Sequence, residues 1–544
     1  MRQPPKDFIN QLIDRYNAAK TGRDNWQTQY QDVQDYVRPT SRDFQGGHTT
    51  GQRRTAKVYE GTALWAASAL AAGLKSFLIP DSDMWASIGI RGTPNHKLDS
   101  KGRAWVQEVN EIMHYYFSRM ESNFSSTMHE TFLDLVGFGT AIPFTYWSED
   151  DDGPAFKIFP LSAVWLDQNN NDKVDVVFRD FEFTIRQIRQ EFGDKAVDNH
   201  EKLAKLKPED KITLTHAVFP NSDPEPVRRK KGTKAFESIY FSEQYRHVFR
   251  RNSNKLMPYQ PSRWSKISGD IYGISPALNS MPDILSLQVM MRETMVGSQL
   301  ANRPPTVFDD DSFMLPIAYK PGAQLFRTPG ATDPVQLTGG NNFNITLELM
   351  QQKQEKIAKD FFIDWLLRPK KKERQTILEI QDDREEMFRQ LGAVLGRIER
   401  ELLGPLVRYT YHLLEEHDKI PAPPASIGSK NISIEFVSPA AVAQTGSKGN
   451  LLLRFIQEIT PLMQIDPSIA QGIKWPEFLQ QLGVYRGISP ELMLSPEELD
   501  AVKQQQAQQA ETEAVAAQGA AMQPAASAMK DIAQAKSAGL NVLN

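Results

Sequence analysis

The chain of 544 residues has no cysteine. That excludes disulfide scaffolds, thiol catalysis, cysteine-containing zinc sites and iron–sulfur clusters together, and it suits a reducing cytosol. Long apolar runs are missing too. The longest stretch of apolar and small residues, ALWAASALAAGL (Ala63 to Leu74), is far short of the roughly 20 residues that span a bilayer, so it reads as a buried helix. The N-terminal MRQPPKDFINQLIDRYNAAK has helical spacing without the apolar core of a secretion signal, which predicts a soluble protein made in the cytoplasm, with no membrane partner. No excess of one charge exists either: 63 basic and 67 acidic residues give a formal net charge of −4. A globally basic nucleic-acid coat is thereby ruled out, and any DNA contact must be local.

The dipeptide Gly-Lys is also absent, and with it the Walker loop that cradles nucleotide phosphates. Neither HExxH nor GxSxG occurs, and His129-Glu130 lacks the second histidine of a zinc helix. DQNNNDKVD (Asp167 to Asp175) places Asp167, Asn169 and Asn171 like the first ligands of a calcium loop. Asp172 then stands where that loop needs glycine, and Phe178 where it needs glutamate, so a polar hairpin turn is the better reading. The run Glu149 to Asp152 reads as a solvated turn. No enzyme, no cofactor and no metal site is expected.

What is present is length and pattern. Forty percent hydrophobic and 24% charged residues are ordinary globular values, enough for several domains. Apolar spacings of three and four predict helices over 6–38, Ala63–Leu78 and Ala104–Met120. From 139 to 265 the period changes to two. AIPFTYWSEDDDGPAFKIFPL and AVWLDQNNNDKVDVVFRDFEF each read as a hairpin, followed by strands from ITLTHAVF to SIYFSEQYRHVFRR. Ser275-Pro276 then starts a helix to Ala301 that Arg303-Pro304-Pro305 ends. Residues 304–342 are rich in proline and glycine with short β-like runs (TVF, QLF, VQL), and Asn344–Leu367 is helical again, ending before Pro369. Thr376 and Glu379 form a capping box for a long helix carrying Ile377, Ile380, Phe388, Leu391, Leu395, Ile398, Leu402 and Leu406, which Pro405 would kink. A strand, ISIEFVSP, precedes helices from Lys448, and beyond 501 the chain is Ala/Gln-rich with almost no apolar stripe.

Three basic patches stand out: RRKKGTK (Arg228 to Lys234), RHVFRR (Arg246 to Arg251) and RPKKKER, where Arg368, Lys370, Lys371, Lys372 and Arg374 oppose only Glu373. For each, on the residues alone, a solvated face or connector is the default reading and a nucleic-acid contact the alternative.

The order of these parts resembles the portal, or head-to-tail connector, proteins of short-tailed bacteriophages. The resemblance is carried by RRTAKVYEGTALWAASALAAGLKSFLIPDSDMWASIGI, by RWSKISGDIYGISPALNSMPDILSLQVMM before a helix ending in RPP, by ERQTILEI, and by LGVYRGISPELMLSPEELDAVKQQQAQQ near the end. It implies an α+β, mainly α chain with wing, stem, clip, tunnel loop and crown, closing into a ring, usually a dodecamer. The resemblance divides the chain into a helical and β-rich wing (1–265), a first stem helix (266–303), a clip (304–342), a second stem helix (343–367), a tunnel loop (368–376), a long wing helix and return strand (377–440), a crown (441–500) and a barrel or disordered tail (501–544). It further implies a virion protein at one capsid vertex. The implied partners are further copies of itself, double-stranded DNA in the channel, major capsid and scaffolding proteins, the terminase large subunit, and a tail adaptor or head-completion protein. Arg368, Lys370, Lys371, Lys372 and Arg374 would face the DNA. An internal scaffold or tail component with similar helical patterning is the alternative.

Overall fold

The computed structural model describes residues 6–45, 51, 53–81, 84–91, 98–221, 235–302, 306–307, 335–336, 343–363, 391–425, 427 and 432–436, with short stretches between 452 and 534. In chain order the helices are α1 (Lys6–Tyr36), α2 (Thr62–Leu78), α3 (Ser100–Ser118), α4 (Phe124–Phe138), α5 (Ile185–Phe192), α6 (Asp194–Asp198), α7 (Glu201–Ala204), α8 (Pro276–Asn302), α9 (Phe343–Asp360) and α10 (Gly404–Glu416). The strands are β1 (Ala86–Ile90), β2 (Thr140–Ala141), β3 (Pro143–Ser148), β4 (Gly153–Ile158), β5 (Val164–Gln168), β6 (Val174–Thr184), β7 (Lys211–Pro220), β8 (Phe236–Ser242), β9 (His247–Asn254), β10 (Ser262–Arg263), β11 (Thr306–Val307), β12 (Val335–Gln336) and β13 (Ile432–Phe436). Two compact units divide the chain: residues 1–88, 108–422 and 434–441 form the first, and 89–107, 423–433 and 442–544 the second. The first unit holds the sheet and the α8–α9 pair.

Its centre is a five-stranded antiparallel meander in the order β5-β6-β7-β8-β9. The period of two seen in the sequence sorts its residues cleanly between two faces. Val176 and Phe178 of β6, Ala217 and Phe219 of β7, and Ile239 and Phe241 of β8 pack on one face against Ile9, Leu12, Ile13 and Tyr16 of α1. Phe181 and Phe183, Ile212 and Leu214, and Phe249 turn the other way, onto Ile185, Ile188, Val197 and Leu203 of the α5–α7 insert. Register also decides a polar contact. Asp180, on the α1 face, accepts hydrogen bonds from the Tyr16 hydroxyl and from Thr215 Oγ1, the latter at 2.8 Å. Removal of this phenol from water pushes the Tyr16 pKa far up, so it stays a donor at any physiological pH.

Both sequence-predicted hairpins form. The Glu149–Asp152 run turns β3 into β4, with Asp152 at a φ of 46°. The DQNNNDKVD stretch turns β5 into β6, where Asn169 Oδ1 accepts the amides of Asn171 and Lys173 and Asp172 adopts a φ of 59°. The short runs TVF and VQL pair as β11 with β12, Thr306 opposite Gln336.

Helix α4 is an addition to the sequence reading. Its core face is Phe124, Met128, Phe132, Leu135 and Val136, and Gly139 ends it in the left-handed conformation at a φ of 78°, its amide bonded to Leu135 O. Two further differences concern helix ends. Helix α9 runs to Asp360, where Phe361 is buried and Phe362 takes a φ of 57°, which breaks the α run; Ile363 is helical again, and the expected end at Leu367 lies outside the described residues. The kink expected at Pro405 takes the form of a π-helical turn, Glu399–Leu403, just ahead of it. A proline ring would collide with the carbonyl four residues back and offers it no N–H, and the wider turn removes the conflict. Leu391, Leu395, Ile398, Leu402 and Leu406 form the buried stripe the spacing predicts. Ile377, Ile380, Phe388 and the Thr376 capping box lie outside the described residues.

Candidate functional site

The α8–α9 helical pair and the knot of chain at its base concentrate the features that matter. The base begins with Ser275. Its Oγ accepts the Leu278 amide at 2.9 Å, capping α8 as the sequence indicates, and donates to Gly137 O at 2.7 Å, tying α8 to the end of α4. Beside it, two backbones touch. A Cβ on Gly273 would lie 2.2 Å from Gly139 O, so only glycine fits, and the Gly273 amide donates to Thr140 Oγ1 at 2.8 Å. The IYGISP stretch is therefore where α4, β2, β10 and α8 meet.

Arg263 completes the knot. Its side chain is 3% exposed, and its guanidinium grips the Glu401 carboxylate with Nε to Oε2 at 3.1 Å and Nη2 to Oε1 at 3.0 Å. The same guanidinium donates to Asp172 O, Gln168 Oε1 and Ile271 O. The buried charge is thus paired in a planar, two-bond geometry, and its remaining donors are satisfied by the β5–β6 turn and the approach to α8.

Above the base, polar contacts fix the register of α8 on α9. Asp283 of α8 pairs with both Lys353 and Lys356 of α9, and those ammonium groups hold its carboxyl below the usual range. Ser280 Oγ donates to Asp360 Oδ2 at 2.8 Å. Gln288 is buried and spends its amide on the segment before α2, accepting Tyr59 N–H at 2.7 Å and donating to Glu60 O at 2.7 Å. Gln354 of α9 reaches the Glu60 carboxylate, which itself caps α2 through the Thr62 amide. Toward the far end the pair is apolar and open. Val289, Met295, Val296 and Leu300 of α8 and Ile345, Leu347 and Leu349 of α9 are all at least 43% exposed.

The sequence-predicted DNA-facing residues Arg368, Lys370, Lys371, Lys372 and Arg374, and the Arg228–Lys234 patch, lie outside the described residues. The Arg246–Arg251 patch is described, and acids pair with two of its arginines: Arg250 with Glu191 at 2.9 Å and Arg251 with Glu237 at 2.9 Å. Sequence reasoning missed Arg263 and Glu401. Arg263 sits before Trp264 in a stretch that reads as an ordinary strand end, and nothing local announces its partner.

One serine–histidine contact occurs in the sheet. His216 Nε2 lies 2.8 Å from Ser238 Oγ and its Nδ1 2.7 Å from the Tyr259 hydroxyl, with the ring stacked 4.0 Å over Tyr240. His216 is 1% exposed, and burial drives its pKa well below the ordinary value, so it is a neutral bridge that no substrate reaches. A cavity by Trp85 and Phe117 holds about 10 Å³, one water at most. Among the described residues no group of three or more His, Asp or Glu is placed to hold a metal, and no helix is long and apolar enough to cross a membrane.

Comparison with known proteins bears on the whole chain. The family described as bacteriophage head to tail connecting protein matches residues 9–494. A probable portal protein of Bordetella phage BPP-1 is 25% identical over 521 residues, 92% of this chain and 91% of its own. The portal protein of Salmonella phage epsilon15 is 22% identical over 550 residues, 98% of this chain and 96% of its own. A solved chain titled as the neck of an empty GTA particle, computed with C6 symmetry, covers 75% of this chain at 10% identity with a TM-score of 0.37.

Proposed function

The chain belongs to the bacteriophage head-to-tail connecting protein family, and from that premise we propose that it works as a portal protein. Copies close into a ring at one capsid vertex. DNA enters and leaves through the centre of the ring, which docks a packaging ATPase first and the tail afterwards. Two near-full-length relatives carry the name portal protein, which supports this reading. The absent Gly-Lys dipeptide fits a chain that leaves ATP hydrolysis to a separate motor.

The observation that carries ring assembly is the placement of apolar residues on α8 and α9. Ile345 and Leu347 are both exposed and stand two positions apart, about 200° around a helix that turns about 100° per residue. Met350 of α9 is buried and touches Thr294 of α8. On α8, Val289, Val296 and Leu300 fall within about 40° of one another, roughly 140° away from Thr294. The pair therefore offers apolar surface on sides that its own partner helix leaves open. A helix apolar on every side is one that neighbours bury. Different surfaces meeting head to tail make a heterologous contact, which closes when the rotation per copy divides a full turn.

In such a ring the residues after α9, Arg368, Lys370, Lys371, Lys372 and Arg374, would line the channel as the tunnel loop and meet phosphates without reading sequence. The clip would be built from 304–342 and would exchange the terminase large subunit for a tail adaptor or head-completion protein. Major capsid and scaffolding proteins would surround the wing. Electron microscopy of purified protein viewed end-on tests the reading: rings with a central hole are expected, whereas filaments or monomers alone would sink it.

A further inference from the structure

Among the described residues two arginines are buried, and only one of them has an acid. Arg263 has Glu401. Arg23 of α1 is 2% exposed, and its partners are three main-chain oxygens: Nη1 donates to Leu161 O at 2.6 Å and to Val164 O at 2.7 Å, and Nη2 to Ser162 O at 3.1 Å. These bonds fasten α1 to the turn that leads into β5, but they bring no negative charge. Among the described residues no carboxylate pairs with Arg23, and the phenols of Tyr272 and Tyr30 act on its charge more strongly than Asp180 or Asp24 does. Asp180 is committed to Tyr16 and Thr215, and Asp24 accepts from Gln27 at 3.1 Å. Burial accordingly lowers the Arg23 pKa, whereas that of Arg189, held by Asp198 and Asp194, is raised.

The polar atoms left over beside this charge have protons to give. Arg23 Nε, Tyr30 Oη and Ser162 Oγ are buried and have no hydrogen-bond partner in the protein. Tyr30, itself 0% exposed, stands two helical turns beyond Arg23 on the same side of α1. Its ring lies 5.2 Å from that of Phe44, over which the Arg23 guanidinium also sits at 5.9 Å. The ring of Tyr272 is 6.3 Å from that of Tyr30, and its hydroxyl accepts the Leu166 amide at 3.2 Å and keeps its own proton to donate. Thr140, beside Tyr30, already accepts the Gly273 amide. Burial raises the Tyr30 pKa well above its ordinary value and that of Tyr272 to about 12, so both phenols stay donors at physiological pH.

We propose that Arg23 and Tyr30, with Tyr272 beside them, hold a small monovalent anion of the halide class as the counter-charge to the buried guanidinium. A halide accepts several hydrogen bonds and gives none, which suits a surround of donors. A water would have to give two protons of its own, and the main-chain oxygens of Leu161, Ser162 and Val164 are already taken by Arg23. One enclosed positive charge also matches a single negative one, since a divalent oxyanion would leave a buried charge over. The site belongs to the protomer and is independent of the portal reading. Its consequence is that an ion from solution helps to fasten α1, the turn before β5 and the approach to α8, so that the stability of the fold depends on chloride.

Urea unfolding of the full-length protein at constant ionic strength tests this, with sodium chloride or sodium bromide replacing the bulky anion of sodium gluconate. An ion bound only by the folded state raises the midpoint as its concentration passes its dissociation constant. Such a rise is expected with both halides. In Tyr30→Phe, which keeps the ring and removes one donor, the halide concentration giving half the effect should increase about tenfold or more. Bromide adds a direct reading, because crystals grown with it should show an anomalous-scattering peak within hydrogen-bonding distance of Arg23 Nε and the Tyr30 hydroxyl. A midpoint indifferent to the anion, or a response that Tyr30→Phe leaves unchanged, would mean that water meets these donors, and the proposal would be overturned. If Tyr30→Phe fails to fold, the bromide peak in the unaltered protein decides: its presence upholds the site and its absence removes it.

Discussion

Gly139 and Gly273, far apart in sequence, lie so close that a methyl group on either would overlap the other's carbonyl oxygen, at 2.4 Å from Gly273 O in one direction and 2.2 Å from Gly139 O in the other. Backbone stands on both sides of the contact, so neither chain can move a side chain out of the way. Gly273→Ala is therefore expected to lower stability by about 3 kcal/mol or more, beyond the usual cost of overpacking, because the start of α8 must shift. Gly392→Ala is the opposite case. A Cβ there meets open space inside a helix, and the change should add up to about 1 kcal/mol. Thermal unfolding of both variants checks the contrast: equal shifts would mean that the close approach is not what fixes this glycine.

Asp134 and Arg38 predict an unusual pH response. The Asp134 carboxyl is buried, and its desolvation outweighs the attraction of Arg38, pushing its pKa up to about 6 from 3.8. The folded state therefore binds a proton that the unfolded state releases between those values. This contribution is complete below pH 3.8 and is lost as pH rises through 6, so acidification from pH 7 to 4.5 should stabilise the fold by about 2 kcal/mol at this site. Urea unfolding at pH 7, 5.5 and 4.5 measures it, and Asp134→Asn should abolish the gain. A variant retaining the full gain would place the proton elsewhere.

Asp283 titrates with the opposite sign. Its carboxyl is held low by hydrogen bonds from Lys353 and Lys356, so its contribution is present above pH 3.8 and is lost as pH falls through its lower folded value. Both lysines are partly exposed, and salt therefore screens the pair. Asp283→Asn should cost about 1 kcal/mol and less at 1 M salt. Its larger effect should be on α8–α9 register, read as faster amide exchange along both helices. Unchanged exchange would show that the apolar contacts alone set the register.

How much of this was legible beforehand depends on the range of the interaction. Periods of two and of three to four located the sheet, its two hairpins and most helices, because they record which face of each element is buried. Ser275 was legible because a cap is satisfied within three residues. Arg263 with Glu401 was not, since the two pair across 138 positions and each looks like an ordinary surface charge. Helix α4 escaped notice because Thr127 and Thr131, two polar residues on its buried side, bond inside the core, Thr127 to Phe156 O and Thr131 to Thr127 O. The break after Asp360 was not legible, because it turns on the burial of Phe361 and the positive φ of Phe362, a tertiary matter.

The apolar sides of α8 and α9 give a direct test of assembly. Val296→Glu and Leu347→Glu put charges on surfaces that are 43% and 50% exposed in the single chain, so the fold of each protomer should survive. If copies bury these surfaces, each charge would be desolvated at the contact and rings should give way to monomers. Mass measurement in solution with circular dichroism separates the outcomes. Rings of unaltered size in both variants would move the subunit contact off these helices.

If the basic segment lines a channel as proposed, the question is how strongly it should bind. Arg368 to Arg374 carries five basic residues and one acid, a net +4. Repeated in about twelve copies on one tier, it would face duplex that bears about one charge per 1.7 Å of axis, and full contact would over-neutralise that length. The following residues limit this: over Arg368 to Glu386 there are six basic and six acidic residues. A few loops at a time should therefore touch DNA, weakly and without sequence preference. Replacing Lys370, Lys371 and Lys372 together with alanine should leave ring assembly intact, lower DNA affinity at low salt, flatten its salt dependence, and alter packaging or retention of DNA. The salt slope is the decisive measurement, because it counts phosphates released from counterions. A slope unchanged by the triple replacement, with packaging and retention also unchanged, would make the segment a solvated connector between helices.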